Sequence, residues 1–275
     1  MKEIFVPIDF SECSIDALKV AADIARKNDS EIHLVNIYEQ PIVGFAVQFR
    51  VDTKELNRLK DELKNQMHNL KDKYLSGIHC HLHLVADSSI WELLEDKSFK
   101  DVDMVIMGSH GASGAKEFFV GSNTQKVVQM SHKPVLVVKD YFDINDTKKV
   151  VFASNFYTEN TNFFTPIKEF IKLTNSELHL LKVITPGNFE NTRISHKYMD
   201  DFAKSNQISD YTKHVYNSDE AESGIREFSN GIDADLIAME THGRRGIKHM
   251  FFGSLAEDLV NHAKLPVLSV HIEES

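Results

Sequence analysis

The chain has 275 residues, 42% hydrophobic and 26% charged, enough for two cores of ordinary size and unlike a disordered segment. A formal charge of −10 excludes a general nucleic-acid binder, because phosphate contacts need a basic face. Two cysteines are too few for a disulfide framework, and no apolar run nears the roughly 20 residues that cross a bilayer, so a soluble cytoplasmic protein without a secretory leader is expected.

In chain order, Ile4–Ile8 reads as a buried strand and Ser14–Lys27 as an amphipathic helix rich in Ala, Leu and Ile. Ile32–Ile37 is a second strand, followed by a loop carrying Pro41 and Gly44 and a charged helix over Thr53–Lys73. Ile78–Val85 is a third strand, Ser88–Asp96 a short helix, Asp103–Met107 a fourth strand, Ser122–Met130 a helix and Pro134–Val138 a fifth strand. Strands separated by helices indicate βαβ units, hence a parallel sheet with right-handed crossovers.

The pattern then recurs. Ile4–Asp9 matches Val150–Asn155, and Glu31–Ile37 matches Glu177–Val183, both 146 residues on. From the fourth strand onward the offset is 132, so the second copy has lost about 14 residues between its second and fourth strands. A period this long is tandem duplication and not a solenoid. Two α/β domains are expected, over residues 1–142 and 148–275, with a charged linker between them.

The repeat contains a glycine pattern. Gly108-Ser109-His110-Gly111 precedes Gly121-Ser122 by nine residues, and Glu240-Thr241-His242-Gly243 precedes Gly253-Ser254 by the same nine. Each follows an apolar run, so each places a turn and a helix N-terminus at the end of a strand, where open α/β sheets bind phosphates. Gly108 would open the strand-end crevice, Gly111 would permit a positive φ, and Gly121 would allow close backbone approach. Ser122 would supply a hydroxyl and an N–H at the positive end of a helix.

This spacing, with a first strand ending in Pro7-Ile8-Asp9 and a last strand Pro134-Val135-Leu136-Val137-Val138, resembles the universal stress protein family, as a tandem two-domain member. The resemblance implies two five-stranded Rossmann-like domains of the adenine-nucleotide-hydrolase type, paired by a pseudo-two-fold axis through their last strands. It also implies ATP, with or without Mg²⁺, wherever the glycine motif is intact. By position, Asp9 would meet the ribose with Pro7 nearby, and Val35 would meet adenine through its backbone. Met107, Gly108 and Gly111 would line the ribose-phosphate path, and Gly121, Ser122, Asn123 and Thr124 would hold the phosphates.

The second copy carries Asn155, Leu181, Met239, Glu240, Gly243, Gly253 and Ser254 at the corresponding places, with Ala153 where the first has Pro7. Glu240 in place of Gly108 would set a negative charge against a polyanion, at a cost of about 1 kcal/mol in water and ~4 at an effective dielectric of 20. Nucleotide is therefore expected mainly in the N-terminal domain, with Arg244 and Arg245 able to neutralise Glu240 or hold another anion. Binding and partner regulation in a stress response, with slow hydrolysis at most, is the expected function. A weak hydrolase and a nucleotide-free scaffold or anion sensor are the alternatives, and a homodimer of whole chains stays open.

His79, His81 and His83 alternate along the third strand and so share a face, with Cys80 on the other. They read as the polar face of an edge strand, and no metal is assigned. Cys13 reads as a small hydrophobe at the start of the first helix.

Overall fold

The computed structural model describes residues 1–40, 42–45, 48–51, 53–110, 121–157, 162–242 and 251–272, without side chains at 42–45, 48–51, 242 and 251–254. The first copy begins with β1 (Glu3–Pro7), α1 (Glu12–Asn28) and β2 (Glu31–Tyr38). Ser11 starts α1 because its hydroxyl accepts the N–H of Ser14, and Asp29 ends it in a left-handed conformation. A hairpin, β3 (Ile42–Phe45) and β4 (Gln48–Val51), then occupies the segment expected to be a loop. Its β-branched and aromatic residues outweigh the punctuation of Pro41 and Gly44.

The copy continues with α2 (Thr53–Tyr74), β5 (Cys80–Ala86), α3 (Ile90–Leu94), β6 (Met104–Gly108), α4 (Ser122–Met130) and β7 (Val135–Val138). The second copy comprises β8 (Lys149–Ala153), α5 (Thr165–Thr174), β9 (Glu177–Ile184), α6 (Thr192–Ser205), β10 (Thr212–Asn217), α7 (Ala221–Gly231), β11 (Leu236–His242), α8 (Phe251–His262) and β12 (Val267–Ile272). The length difference between copies lies in the hairpin and in α2, which has 22 residues against the 14 of α6.

Ten strands form one sheet in the order β10-β9-β8-β11-β12-β7-β6-β1-β2-β5. Each half is parallel, and the halves join where β12 pairs antiparallel with β7. The register is Val267 to Val137, Leu268 to Leu136 and Ser269 to Val135. Strands buried on both faces read as the continuous apolar runs seen in the sequence.

Successive side chains feed two cores. Ile4, Val6, Leu34, Leu136, Phe152 and Leu268 pack on the α1 face, while Phe5, Val35, Val105, Val137, Val151 and Val267 pack on the other. Both cores cross the seam, so the halves share buried surface as well as a ladder. Each large side chain buried there contributes about 1.5–3 kcal/mol.

The duplication persists in the backbone. Phe10 (φ 64°) and Phe156 (φ 60°) are left-handed at equivalent positions, as are Asp29 (51°) and Asn175 (55°). Phe10 is costly there, since bulky residues rarely adopt positive φ. In each copy it follows the first strand, where the chain must turn sharply into the crevice.

Candidate nucleotide site

Within the first half the strand order reverses between β1 and β6, so the crevice beyond their C-terminal ends is the topological switch point. Pro7 ends β1. The Asp9 carboxylate then accepts the Ser11 N–H at 3.0 Å and the Ser11 hydroxyl at 2.6 Å, bracing the entry to α1. Asp9 is exposed beside the crevice, as a ribose partner must be.

Across the switch point, Gly121 caps α4 with no side-chain hydrogen bond. The first α-helical bond runs from the Gln125 N–H to the Gly121 carbonyl, at 3.1 Å. The N–H groups of Ser122, Asn123 and Thr124 therefore have no intrahelical partner. α1 and α3, by contrast, are closed by Ser11 and by the Ser89–Glu92 capping box. Ser122 and Asn123 are exposed, so among the described residues nothing caps the positive end of α4.

Four placements differ from expectation. A Cβ on Gly108 would not enter the crevice; it would meet the carbonyl carbon of Cys13 at 2.9 Å, its sulfur at 2.9 Å and its oxygen at 3.0 Å. This glycine exists because the first turn of α1 lies on β6. The Thr124 hydroxyl donates to the Gly108 carbonyl at 3.0 Å, and the Gly121 N–H donates to the Ser109 carbonyl at 2.9 Å. Both tie the α4 cap to the strand end, so neither is free for phosphate.

Val35, finally, is buried, and its carbonyl accepts the Ile8 N–H at 2.8 Å, which commits that backbone group to the sheet. The polar group at this strand end is Asn36. Its amide donates to the Ile8 carbonyl at 2.7 Å while its Oδ1 is buried without a partner. Sequence reasoning passed over Asn36, although a polar residue in an apolar strand was the available signal. Met107 is buried beneath the crevice, and Gly111 lies outside the described residues.

Cys13 is buried at the same junction. Its sulfur accepts the Ser109 N–H at 3.2 Å and lies 3.3 Å from the Val138 carbonyl. The His110 ring nitrogen is 3.0 Å from the Ser109 hydroxyl, a hydrogen bond within the turn.

The second copy is built differently. Glu240 does not face the crevice; it is 3% exposed, and one of its oxygens accepts the Ser154 hydroxyl at 3.0 Å. Its second oxygen is buried without a side-chain partner, and burial pushes the carboxyl up to about 7 against the Ser154 and Asn155 hydrogen bonds. The expected phosphate repulsion is corrected accordingly: a buried acid bonded to Ser154, and not an exposed anion, stands at this position.

Gly253 and Ser254 also shift. They lie inside α8, which starts at Phe251, instead of at its cap. Leu181 and Met239 are buried, Asn155 is half-buried, and Gly243, Arg244 and Arg245 lie outside the described residues.

At the place of Asn36 stands Lys182, with a side chain 1% exposed. Its ammonium donates to Glu190 at 2.5 Å and sits 4.1 Å from the Tyr157 ring centre and 5.2 Å from that of Tyr198. Glu190 also accepts the hydroxyls of Ser195 (2.6 Å) and Tyr157 (2.9 Å). Burial lowers the Lys182 pKa. It would raise that of Glu190, but the hydrogen bonds from Lys182, Ser195 and Tyr157 hold the carboxyl below its usual value. Copy two thus fills the end of β9 with its own cation and aromatic rings.

A doubled parallel α/β sheet whose strand order reverses once in each half defines a protein of the Rossmann-like α/β class. The model of the universal stress protein family matches residues 1–139 and again 147–271. The chain belongs to that family, as a tandem two-domain member.

Single universal stress proteins match half of this chain over nearly their whole length. Universal stress protein MJ0577 of Methanocaldococcus jannaschii is 31% identical over 153 residues, spanning 50% of this chain and 94% of the relative. Universal stress protein YxiE of Bacillus subtilis is 27% identical over 145 residues, 50% of this chain and 98% of the relative. A universal stress protein structure from Archaeoglobus fulgidus covers 98% of both chains with a TM-score of 0.74 at 20% identity, which shows the shared two-domain fold. Among the described residues no helix is long and apolar enough to cross a membrane.

Proposed function

We propose that this chain is an ATP-binding regulator of the stress response, holding one nucleotide in its N-terminal half, residues 1–142. The observation that carries this reading is the contrast at the two helix starts. α4 begins at Ser122 with no side-chain cap, whereas α8 runs from Phe251 through Gly253 and Ser254, and on the other face of the second half Glu240 and Lys182 are buried against the chain's own side chains.

In this reading, phosphates lie on the N–H groups of Ser122, Asn123 and Thr124, with Mg²⁺ able to accompany them. The ribose meets Asp9, and the base stacks above the Pro7–Asn36 strand ends. Function follows from occupancy: the nucleotide shifts the population of surface conformations that partners recognise, without rapid turnover.

Isothermal titration of nucleotide-stripped protein with MgATP tests this, using the parent, Asp9→Ala and Asn155→Ala. One site per chain is expected, weakened at least tenfold by Asp9→Ala and unchanged by Asn155→Ala. Absence of binding, or two equivalent sites, would refute it and leave a scaffold built on a nucleotide fold. Gly108→Glu is unsuitable here, because it would displace α1 before it touched a ligand.

A further inference from the structure

β5 is an outer edge of the sheet, and the histidine row runs along one side of it, from His79 just before the strand to His83. The structure adds an acid to that row. Glu31, at the start of β2, directs one carboxylate oxygen to Nδ1 of His79 and the other to Nε2 of His81, both at 3.0 Å. One ligand atom from each of the three residues lies within 4.8 Å of the others.

We infer that Glu31, His79 and His81 form a binding site for a divalent transition metal such as Zn²⁺. Two imidazoles and a carboxylate are a known zinc donor set, with water completing the shell. Bonds of about 2.0–2.2 Å in tetrahedral geometry separate ligand atoms by roughly 3.3 Å, close to the two observed contacts. An ion entering here replaces the two carboxylate–imidazole contacts. The site is open to solvent, with side chains 65%, 41% and 44% exposed for His79, His81 and Glu31.

The surroundings hold the ligands in place. His81 stacks on His33, its partner in the β2–β5 register, with ring centres 5.0 Å apart and planes at 20°. His33 is fixed in turn by Glu3 at 3.1 Å and by His83 at 3.0 Å. Such outer contacts orient metal ligands.

The second copy supplies an internal comparison. It repeats the inner pair, with His179 Nδ1 3.1 Å from His214 Nε2, and it retains Glu177. Opposite His179, however, β10 has Thr212 where β5 places His81 opposite His33, and Asp210 stands where copy one has His79. The inner histidine pair is therefore common framework, whereas the two outer imidazoles occur only beside Glu31.

The site is also remote from the crevice. Glu31 opens β2 and Tyr38 closes it, which places them about 23 Å apart at 3.3 Å per residue. A metal here is separate from any Mg²⁺ that accompanies a nucleotide.

The test is calorimetric titration of chelator-stripped, nucleotide-free full-length protein with ZnCl₂, together with Co²⁺ substitution read by visible absorption. The parent should bind one zinc ion per chain and give a tetrahedral Co²⁺ spectrum. His79→Ala and His81→Thr should each weaken binding at least tenfold with unchanged circular dichroism, and His214→Ala should bind as the parent does. No zinc binding by the parent, or binding undisturbed by His79→Ala and His81→Thr, would overturn the assignment. So would loss of binding in His83→Ala but not in His79→Ala, which would put the ion in the inner pair.

Discussion

Leu136 and Leu268 occupy the same position in the two copies and lie directly opposite each other in the β7–β12 ladder. The pseudo-two-fold axis therefore passes between them. The helices above obey it too: Gln125 bonds Asn261, and Gln129 bonds Glu257, each pair being the mirror of the other under the 132-residue offset. Leu268→Ala should cost about 2–5 kcal/mol in urea unfolding, as fully buried leucines do. Residues 1–142 expressed alone would bare the β7 edge and should dimerise through it, which sedimentation would read directly.

Gly108→Ala tests the corrected role of that glycine. Its new methyl would press on the Cys13 backbone, so a loss of about 1–3 kcal/mol is expected whether or not nucleotide is present. Cys13→Ala should not rescue it, because two of the three close atoms belong to the main chain. Equilibrium denaturation of the single and double variants separates this from a ligand effect.

Glu240 gives copy two a pH dependence. Its folded pKa of about 7 lies above the ordinary 4.5, so the protonated acid favours the folded state. The stabilisation is complete below about 4.5 and is lost as pH rises to about 7. The whole swing is on the order of 3 kcal/mol. Glu240→Gln should flatten stability between pH 5 and 8 and be the more stable protein at pH 8, as judged by denaturant midpoints across that range.

The Lys182–Glu190 pair should behave as a unit. Lys182→Met removes the cation from a buried carboxylate and should cost about 3 kcal/mol, whereas adding Glu190→Gln should recover much of that. A double-mutant cycle with calorimetric unfolding measures the coupling, and purely additive losses would contradict it.

Much of this architecture is readable from spacing, because a parallel sheet writes itself as apolar runs and a duplication as constant offsets. Ile4–Ile8 and Ser122–Met130 fall within a residue or two of observed elements for that reason. The direction of the missing Cβ at Gly108 is not readable, since it depends on where α1 lands, 95 residues earlier. Thr124 and Val35 fail in the same way: residue type permits a ligand contact, but a tertiary hydrogen bond takes the group first. Lys182 was visible as a lone charge among Leu178, Leu180, Leu181 and Val183, yet its partner Glu190 lies in a loop with no periodicity to mark it. Glu31 likewise joins the histidines only through strand register.

The antiparallel seam has a historical consequence. In a dimer of identical chains, every substitution arrives in both crevices at once, so a change that closes one closes the other. Here the two halves are encoded separately and run in opposite directions along one sheet, with their strand ends at opposite rims of the molecule. Glu240, Lys182 and the early start of α8 could accumulate on one rim while Gly108, Asn36 and the open cap of α4 stayed on the other. As one covalent chain, the molecule has a front and a back.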